Sequence, residues 1–336
     1  MALTTESAIQ EYLKTTKSLA LDPEETYATA ELSGGTANFV YRLTDTQGST
    51  SIIKHAEPYV RTHPDIQFPV VRMDFEANVL RALPDVLPSS EVIQPVGVLA
   101  YDSEAHVLRL SDGGSTTLKD VYSTLSEAEV QEAGGRLGRW LARFHLATKA
   151  MDIGDNQVAK NIYRHSYKWL ASRLEKYGQD KSIGERNNEM FGSLLATDDG
   201  MVCHGDFWPG NVLVQKDSLK MTIVDWEMTR RGNGATDVGQ FAAESWLLDR
   251  FRGGKGMLKA FLEAYRKERG DHWTLSDKRR MAIHMGTHIA FWPTGVPWGN
   301  EEETLECVKT GVEIIQHATD EHYEWLQKSV LEPIFA

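Results

Sequence analysis

The distribution of apolar residues divides the chain into a strand-rich first part and a helix-rich second part. Short apolar runs bounded by polar turns, which predict strands, occupy residues 27–32, 39–43, 51–54, 91–100 and 106–110. Helical spacing predicts helices over residues 5–20, 73–83, 126–149, 238–251, 257–269 and 276–291, and from 301 onward. Residues 151–200 are polar and predict helix only in part. The pattern therefore predicts two regions of different architecture within one chain.

A short polar segment separates the two regions. Residues 111–117 read Ser-Asp-Gly-Gly-Ser-Thr-Thr, a composition typical of a linker. We therefore assign residues 1–110 to a first lobe, 111–118 to a linker or hinge, and 119–336 to a second lobe.

Composition limits the classes of partner and compartment. The chain has 336 residues, 41% of them apolar, and a formal net charge of −12. Nucleic acids and anionic lipids bind basic surfaces, so this acidity disfavours both. No apolar run reaches the length of a membrane span, the first residues lack the pattern of a signal peptide, and the two cysteines are too few for a disulfide framework. We expect a cytoplasmic protein that acts on a small molecule, and the pattern indicates no particular oligomeric state.

Three short apolar runs lead to side chains that carry oxygen ligands. Asp206 follows the first run, Asn211 comes five residues later as the second run begins, and Asp225 ends the third. Carboxylate and amide oxygens at the ends of buried strands are rigidly held, hard ligands of the kind that magnesium prefers. Phosphoryl transfer requires such ligands and a carboxylate near the accepting hydroxyl. The spacing therefore predicts a phosphoryl-transfer site with Asp206 as base and Asn211 and Asp225 as magnesium ligands.

Two features of the first lobe predict a site for ATP. Lys54 ends the apolar run 51–54, and a buried ammonium needs a charged partner, for which Glu76 is the candidate. Gly34 and Gly35 lie between two predicted strands, where free backbone N–H groups can bind phosphate oxygens. We predict that Lys54, fixed by Glu76, binds the α and β phosphates under this glycine loop.

A family resemblance runs through these motifs. The segment His204-Gly205-Asp206-Phe207-Trp208-Pro209-Gly210-Asn211, together with Val224-Asp225-Trp226-Glu227, resembles the catalytic and metal motifs of the aminoglycoside phosphotransferase and choline kinase superfamily, relatives of the protein kinases. The resemblance covers most of the chain. It implies an α+β, two-lobed protein-kinase-like fold, with a small antiparallel β-sheet in the first lobe and a mainly helical second lobe. It also implies that main-chain groups around Arg109 to Ser111 hold adenine, and that Asp237 braces the catalytic loop.

The first lobe carries a narrower resemblance. Residues 38–41, 53–61 and 75–77 resemble the first lobe of 5-methylthioribose kinases, and Arg279-Arg280 is similar to that family's paired substrate-binding arginines. The second lobe departs from that family, because Asn211 stands where those kinases tend to carry a serine and Trp226 where they carry a proline. The acceptor therefore stays open among a thiosugar, an amino alcohol, an aminoglycoside and another metabolite.

Other assignments compete with a small-molecule kinase. A protein kinase would carry an arginine where Gly205 stands. His284 and His288 are four residues apart on a predicted helix, but Met285 replaces the glutamate of a zinc-protease motif. A nucleotide-binding pseudokinase or scaffold without turnover is disfavoured because every predicted catalytic and metal-binding residue is present.

Two residues beside the motif carry open questions. Trp208 is the aromatic residue within the catalytic loop, and we predict that it lines the acceptor site. The sequence leaves open whether Glu227 assists metal binding.

Overall fold

The first region folds as an antiparallel sheet covered by a helix on each face. The computed structural model describes residues 3–32, 35–88, 90 and 92–336. The strands of this region are β1 Ala28–Glu31, β2 Phe39–Thr44, β3 Thr50–His55, β4 Tyr59–Val60, β5 His63–Gln67, β6 Ile93–Pro95, β7 Val98–Asp102 and β8 Val107–Ser111, and its helices are α1 Glu6–Thr15 and α2 Arg72–Val86. Within the described residues the main sheet has five strands in the order β1-β2-β3-β8-β7, all antiparallel, and β4 and β5 form a separate hairpin.

The alternation of side chains along β3 directs Lys54 away from the core under α1. Ile53 packs with Ile9 of α1 in one apolar cluster, whereas Ile52 packs against the cluster that contains Met73 and Ala77 of α2. Successive residues of a strand point to opposite faces, so Lys54 lies on the α2 side of the sheet with Ile52. The strand period thereby places a lysine against the helix that carries Glu76.

The second region is built mainly of helices. Its helices are α3 Leu118–Val121, α4 Glu127–Ala147, α5 Gln157–Tyr163, α6 His165–Lys176, α7 Lys181–Asn187, α8 Ala235–Phe251, α9 Met257–Arg269, α10 Leu275–Phe291, α11 Glu301–Thr319, α12 Tyr323–Leu326 and α13 Glu332–Phe335. Capping boxes begin α4 at Ser126 with Glu129 and α11 at Asn300 with Glu303. Helix α8 is buried around most of its circumference, so it forms the centre of this region.

Four short strands of the second region carry the predicted catalytic motifs. They are β9 Met201–Cys203, β10 Val212–Gln215, β11 Lys220–Ile223 and β12 Arg230–Gly232. Strand β9 pairs with β12, and β10 pairs with β11. Strand β6 lies parallel to β11, with Ile93 opposite Met221. The single strand expected over residues 91–100 is therefore two strands, of which β6 joins a sheet with the second region and β7 joins the first.

The predicted helices are present, but the first one, expected over residues 5–20, ends at Thr15. The predicted helix 238–251 begins three residues earlier, at Ala235, and the polar stretch 151–200 holds the helices α5, α6 and α7. No helix in the described part of the chain combines the length and the apolar character that crossing a bilayer requires.

Candidate active site

A buried ion-pair cluster joins the two regions at Lys54. The Lys54 ammonium lies 2.7 Å from Oε2 of Glu76 and 2.5 Å from Oδ1 of Asp225. Glu76 is completely buried, and its other oxygen accepts a hydrogen bond from the backbone N–H of Trp226 at 3.2 Å. The structure thus brings together three residues that are far apart in the sequence.

The charges in this cluster change one another's proton affinity. Burial disfavours the Lys54 ammonium, but the carboxylates of Asp225 and Glu76 outweigh burial and raise its pKa. Burial also opposes ionisation of Asp225, and the neighbouring Lys54 ammonium holds the pKa of that carboxyl below its ordinary value. Burial raises the pKa of Glu76, although Lys54 opposes that rise. Lys54 and Asp225 are therefore charged at neutral pH.

Glu227 extends the cluster towards the glycine loop. Its Oε2 accepts hydrogen bonds from Nδ2 of Asn38 at 2.7 Å and from Nε of Arg72 at 3.0 Å. Arg72 also donates to Oδ1 of Asn38 at 2.9 Å, which closes a ring of three side chains. The sequence did not indicate Asn38 and Arg72 as site residues. The full burial of Arg72 at the start of α2 depends on tertiary packing, which the sequence pattern does not show.

The acidic side chains of this cluster fit a magnesium ion. Carboxylate oxygens of Glu76, Asp225 and Glu227 lie within 4.8 Å of one another. The amide of Asn211 lies next to the carboxylate of Asp206, so these two side chains add further oxygen atoms between the two regions. Magnesium prefers oxygen ligands of this type, which matches the chemistry of the donor set.

Asp225 is held in an unusual backbone conformation. Its φ of 67° and ψ of 60° lie in the left-handed region, which costs a residue with a Cβ about 1–2 kcal/mol. Its neighbour Trp226 is completely buried and packs edge-on against Trp140 and Phe144. The anchored indole and the bond from Trp226 to Glu76 hold the turn, so Asp225 points towards Lys54.

The loop that carries Asp206 turns sharply at Gly205. Gly205 has a φ of +88°, and a Cβ there would lie 2.0 Å from the backbone oxygen of Met228. Only glycine fits this position without displacing the facing backbone. The turn leads directly into Asp206, whose side chain is half-buried.

Two amide groups hold the Asp206 carboxylate. Nδ2 of Asn211 donates to Oδ2 at 2.9 Å and to the backbone oxygen of Asp206 at 2.9 Å. Nε2 of Gln240, on α8, donates to Oδ1 at 2.6 Å. Burial and the nearby charge of Asp225 raise the pKa of Asp206 to about 7, against the lowering effect of both amides. A carboxylate with such a pKa is suited to accept a proton near neutral pH.

The buried carboxylate of Asp237 binds the backbone of the same loop. Its carboxylate accepts hydrogen bonds from the N–H of His204 at 2.8 Å and of Gly205 at 3.0 Å. It also contacts Nε2 of His145 at 3.2 Å, and Nδ1 of His145 lies 2.8 Å from the hydroxyl of Tyr265. Asp237 therefore holds the backbone at His204 and Gly205, and its role as the brace of a catalytic loop stays a prediction.

Gln240 belongs to a hydrogen-bonded chain that the sequence did not indicate. The Tyr163 hydroxyl lies 3.2 Å from Oε1 of Gln240 and 2.9 Å from Nε2 of His284, and Nδ1 of His284 lies 2.9 Å from the Tyr167 hydroxyl. Burial lowers the pKa of His284 well below its usual range, so the ring is neutral. His284 therefore belongs to a network of side chains rather than to the zinc motif that was weighed for it.

Several predicted nucleotide-binding residues have other partners. Arg109 lies inside the sheet opposite Ile53, and its guanidinium donates to Oγ of Ser51 at 3.2 Å and to the backbone of Ala20 at 2.8 Å. The N–H of Ser111 donates to the backbone oxygen of Gly97 at 2.8 Å. The expectation that these main-chain groups hold adenine does not fit Arg109, because an interior strand uses its polar groups within the sheet.

The predicted glycine loop is described only in part. Gly35 is exposed at the turn before β2, whereas Gly34 lies outside the described residues.

The paired arginines contact other parts of the second region. Arg279 donates to the backbone oxygens of Ala318 at 2.7 Å and Thr319 at 2.6 Å, at the end of α11. Arg280 is buried and pairs with Asp198 at 2.8 Å. The end of α11 holds the Arg279 guanidinium and Asp198 accepts from Nη2 of Arg280, so the prediction that these arginines bind the acceptor does not fit this geometry.

Trp208 lies at the edge of the catalytic loop beside two other residues. The Lys119 ammonium lies 4.8 Å from the centre of the Trp208 ring and 5.0 Å from that of the Trp298 ring. Lys119 belongs to α3, directly after the linker, and Trp298 belongs to the glycine- and proline-containing loop before α11. The aromatic faces and the cation form a wall next to the loop of Asp206.

Comparison with known proteins assigns the family. The sequence model of the Phosphotransferase enzyme family (APH) matches residues 29–282. The chain belongs to this family. A 4-hydroxytryptamine kinase of Psilocybe cyanescens is similar to this phosphotransferase, with 30% identity over 349 residues that cover 95% of this chain and 94% of the relative.

Solved structures agree on the fold of this phosphotransferase. LicA in complex with AMP has a TM-score of 0.57 at 17% identity, covering 93% of this chain and 98% of LicA. The ADP-bound aminoglycoside phosphotransferase APH(2'')-Ib has a TM-score of 0.51 at 15% identity, covering 94% of this chain and 99% of that one. The α+β, two-lobed kinase-like fold is confirmed. The protein is a small-molecule kinase that transfers phosphate to a hydroxyl group, and a scaffold without turnover is not supported.

Proposed function

We propose that this phosphotransferase uses ATP and magnesium to phosphorylate the hydroxyl group of a small hydroxylated aromatic amine, with Asp206 as the base. The observation that carries the proposal is the convergence of two half-sites. Lys54, Glu76 and Asp225 form one, and Asp206 with Asn211 forms the other. The backbone N–H of Val224, the residue before Asp225, donates to the backbone oxygen of Asn211 at 3.0 Å, so the two half-sites are close enough to serve one reaction.

Each side chain has a defined task in this proposal. Lys54 binds phosphate oxygens of ATP, and Glu76 holds its ammonium in place. Asn211 and Asp225 hold magnesium, with Glu227 as a further carboxylate of the same cluster. Bound magnesium supplies positive charge that offsets the charge of the transferring phosphoryl group. Asp206 orients the acceptor hydroxyl and accepts its proton.

The acceptor class rests on a separate line of support. The relative from Psilocybe cyanescens covers almost the whole chain and is described as a 4-hydroxytryptamine kinase. Trp208 and Trp298 place aromatic faces beside the catalytic loop, and a net charge of −12 favours a cationic ligand over an anionic one. The departures from 5-methylthioribose kinases at Asn211 and Trp226 argue against a thiosugar, and so do the contacts that Arg279 and Arg280 make with the end of α11 and with Asp198.

An acceptor screen tests this proposal. ADP release would be followed with 4-hydroxytryptamine, choline, an aminoglycoside and methylthioribose in separate reactions, each with and without magnesium. We expect turnover with the aromatic amine, and a loss of at least about 1,000-fold in kcat for Asp206→Asn with nearly unchanged ATP binding. Asp225→Asn is expected to weaken binding of the magnesium nucleotide. Full activity of Asp206→Asn on the preferred acceptor would refute its role as the base.

A further inference from the structure

A chain of hydrogen bonds links His284, on α10, to the catalytic loop. Nε2 of the His284 ring lies 2.9 Å from the Tyr163 hydroxyl, which lies 3.2 Å from Oε1 of Gln240. Nε2 of Gln240 donates to Oδ1 of Asp206 at 2.6 Å. His284 is therefore connected to the proposed base through side chains of α5 and α8, although it lies on a third helix.

The charge of Asp206 fixes the direction of the hydrogen bonds along this chain. An ionised carboxylate only accepts, so Gln240 presents its amide N–H to Asp206 and its oxygen to Tyr163. The Tyr163 hydroxyl therefore donates to Gln240, and its oxygen accepts from Nε2 of His284. A neutral ring protonated at Nε2 accepts at Nδ1, and the Tyr167 hydroxyl lies 2.9 Å from that atom.

Burial keeps the His284 ring neutral and fixed in orientation. Its side chain is 3% exposed, and burial lowers its pKa well below the usual range, so the ring carries one N–H at neutral pH. The ring also stacks with those of Tyr163 and Tyr167, at centre-to-centre distances of 5.1 and 5.6 Å. The single N–H is therefore aimed at the Tyr163 oxygen.

The Gln240 amide has a second orientation, which this N–H disfavours. Rotation by half a turn would place Oε1 of Gln240 against Oδ1 of Asp206, where two acceptors repel each other. It would also turn the amide N–H towards the Tyr163 oxygen, which already accepts from His284. The hydroxyl hydrogen would then turn to the backbone oxygen of Thr236, 3.2 Å away. His284 therefore favours the orientation in which Gln240 donates to Asp206.

We propose that His284 is a positioning residue for phosphoryl transfer, because its Nε2–H keeps Tyr163 as a donor to Gln240 and thereby keeps Gln240 as a donor to Asp206. This inference rests on the proposed function, in which Asp206 is the base, and it extends the catalytic machinery to α10. Ring stacking would by itself give His284 a structural role, so the experiment must separate the N–H from the ring.

Two substitutions separate the two roles of His284. His284→Phe keeps a flat ring and removes the donor, whereas His284→Gln removes the ring and keeps an N–H donor near the position of Nε2. ADP release would be followed with ATP and 4-hydroxytryptamine. We expect His284→Phe to lower kcat about 3- to 15-fold with KM for both substrates nearly unchanged, and His284→Gln to stay within about 2-fold of wild type.

A double-mutant cycle tests whether His284 acts through Gln240. Side chains in one hydrogen-bonded chain have non-additive effects, whereas independent sites have additive ones. In the Gln240→Leu background, His284→Phe should therefore lower kcat by less than about a further 2-fold. An equal loss in both backgrounds, or no loss in the wild-type background, would overturn the inference.

Controls separate the other possible failures. The ring of His317, on α11, stacks on Trp325 at 4.1 Å, so His317→Phe makes the same change in another stacked pair and should leave kcat unchanged. If kcat instead follows the loss of thermal stability across the His284 variants, the role is structural and the inference is wrong. Full activity of Asp206→Asn would contradict the proposed base. Absence of wild-type turnover of 4-hydroxytryptamine would contradict the proposed acceptor class, and the cycle would then use the acceptor found in the screen.

Discussion

Replacing Gln240 with leucine removes the N–H that donates to Oδ1 of Asp206 and keeps a side chain of similar size in a buried position. A hydrogen bond to a charged group contributes about 1.5–3 kcal/mol. If that bond holds the catalytic carboxylate in its productive orientation, its loss lowers kcat/KM by about 10- to 150-fold. The bond from Asn211 to Oδ2 remains, so the carboxylate is not released completely.

The same substitution shifts the pH dependence of the reaction. The Gln240 N–H stabilises the ionised carboxylate and therefore lowers the pKa of Asp206, which burial and Asp225 raise to about 7. Without this donor the pKa rises further. A base is active above its pKa, so kcat/KM falls as pH decreases through that pKa, and the acidic limb of Gln240→Leu should lie at higher pH than in wild type.

The assay is steady-state ADP release at saturating ATP between pH 5.5 and 9. Gln316→Leu, which removes an exposed glutamine from α11, is the matched control and should not change the profile. Tyr163→Phe removes a hydroxyl that holds Oε1 of Gln240 and should produce a smaller change in the same direction. A Gln240→Leu protein with wild-type kcat/KM and an unmoved acidic limb would show that Asp206 is oriented without Gln240.

Two further substitutions test the scaffold around the site. Gly205→Ala should lower the free energy of unfolding by about 2–5 kcal/mol, because the added Cβ meets the backbone of Met228. Gly48 has a similar φ of +84° but no atom nearby, so Gly48→Ala should cost only about 1 kcal/mol of strain. Equal losses of stability in thermal unfolding would contradict the steric argument. Lys54→Met should abolish activity and destabilise the fold by about 3–5 kcal/mol, because the buried Glu76 loses its cation. The double variant Lys54→Met/Glu76→Gln should recover stability in urea titrations but not turnover.

The sequence pattern correctly located the candidate site residues that lie at the ends of short strands. Asp206, Asn211 and Asp225 stand at the edges of short apolar runs, and the structure places each in a turn beside a buried strand. Lys54 could be paired with Glu76 because the period of a strand and that of a helix each define one inward face. The family resemblance then supplied the arrangement of the two lobes.

The residues that sequence reasoning missed lie where periodicity carries no information. Helix α8 is buried on nearly all sides, so its pattern does not single out Gln240 as the residue that contacts Asp206. Tyr163 lies in the polar stretch 151–200, whose pattern predicts helix only in part, yet its hydroxyl joins the Gln240 network. The prediction of a substrate site at the paired arginines does not fit for the opposite reason. Two adjacent charges suggested a ligand, but their partners are the end of α11 and Asp198.

Strand β6 has a consequence for the order in which the protein can fold during synthesis. Ile93 belongs to the first part of the chain, but its strand partner, Met221, leaves the ribosome much later. Until then β6 is an edge with unpaired backbone groups, which is the kind of surface that recruits other strands. A nascent chain that ends between the linker and β11 should therefore depend on chaperone protection, and fragments cut within that interval should aggregate rather than fold as a separate first lobe.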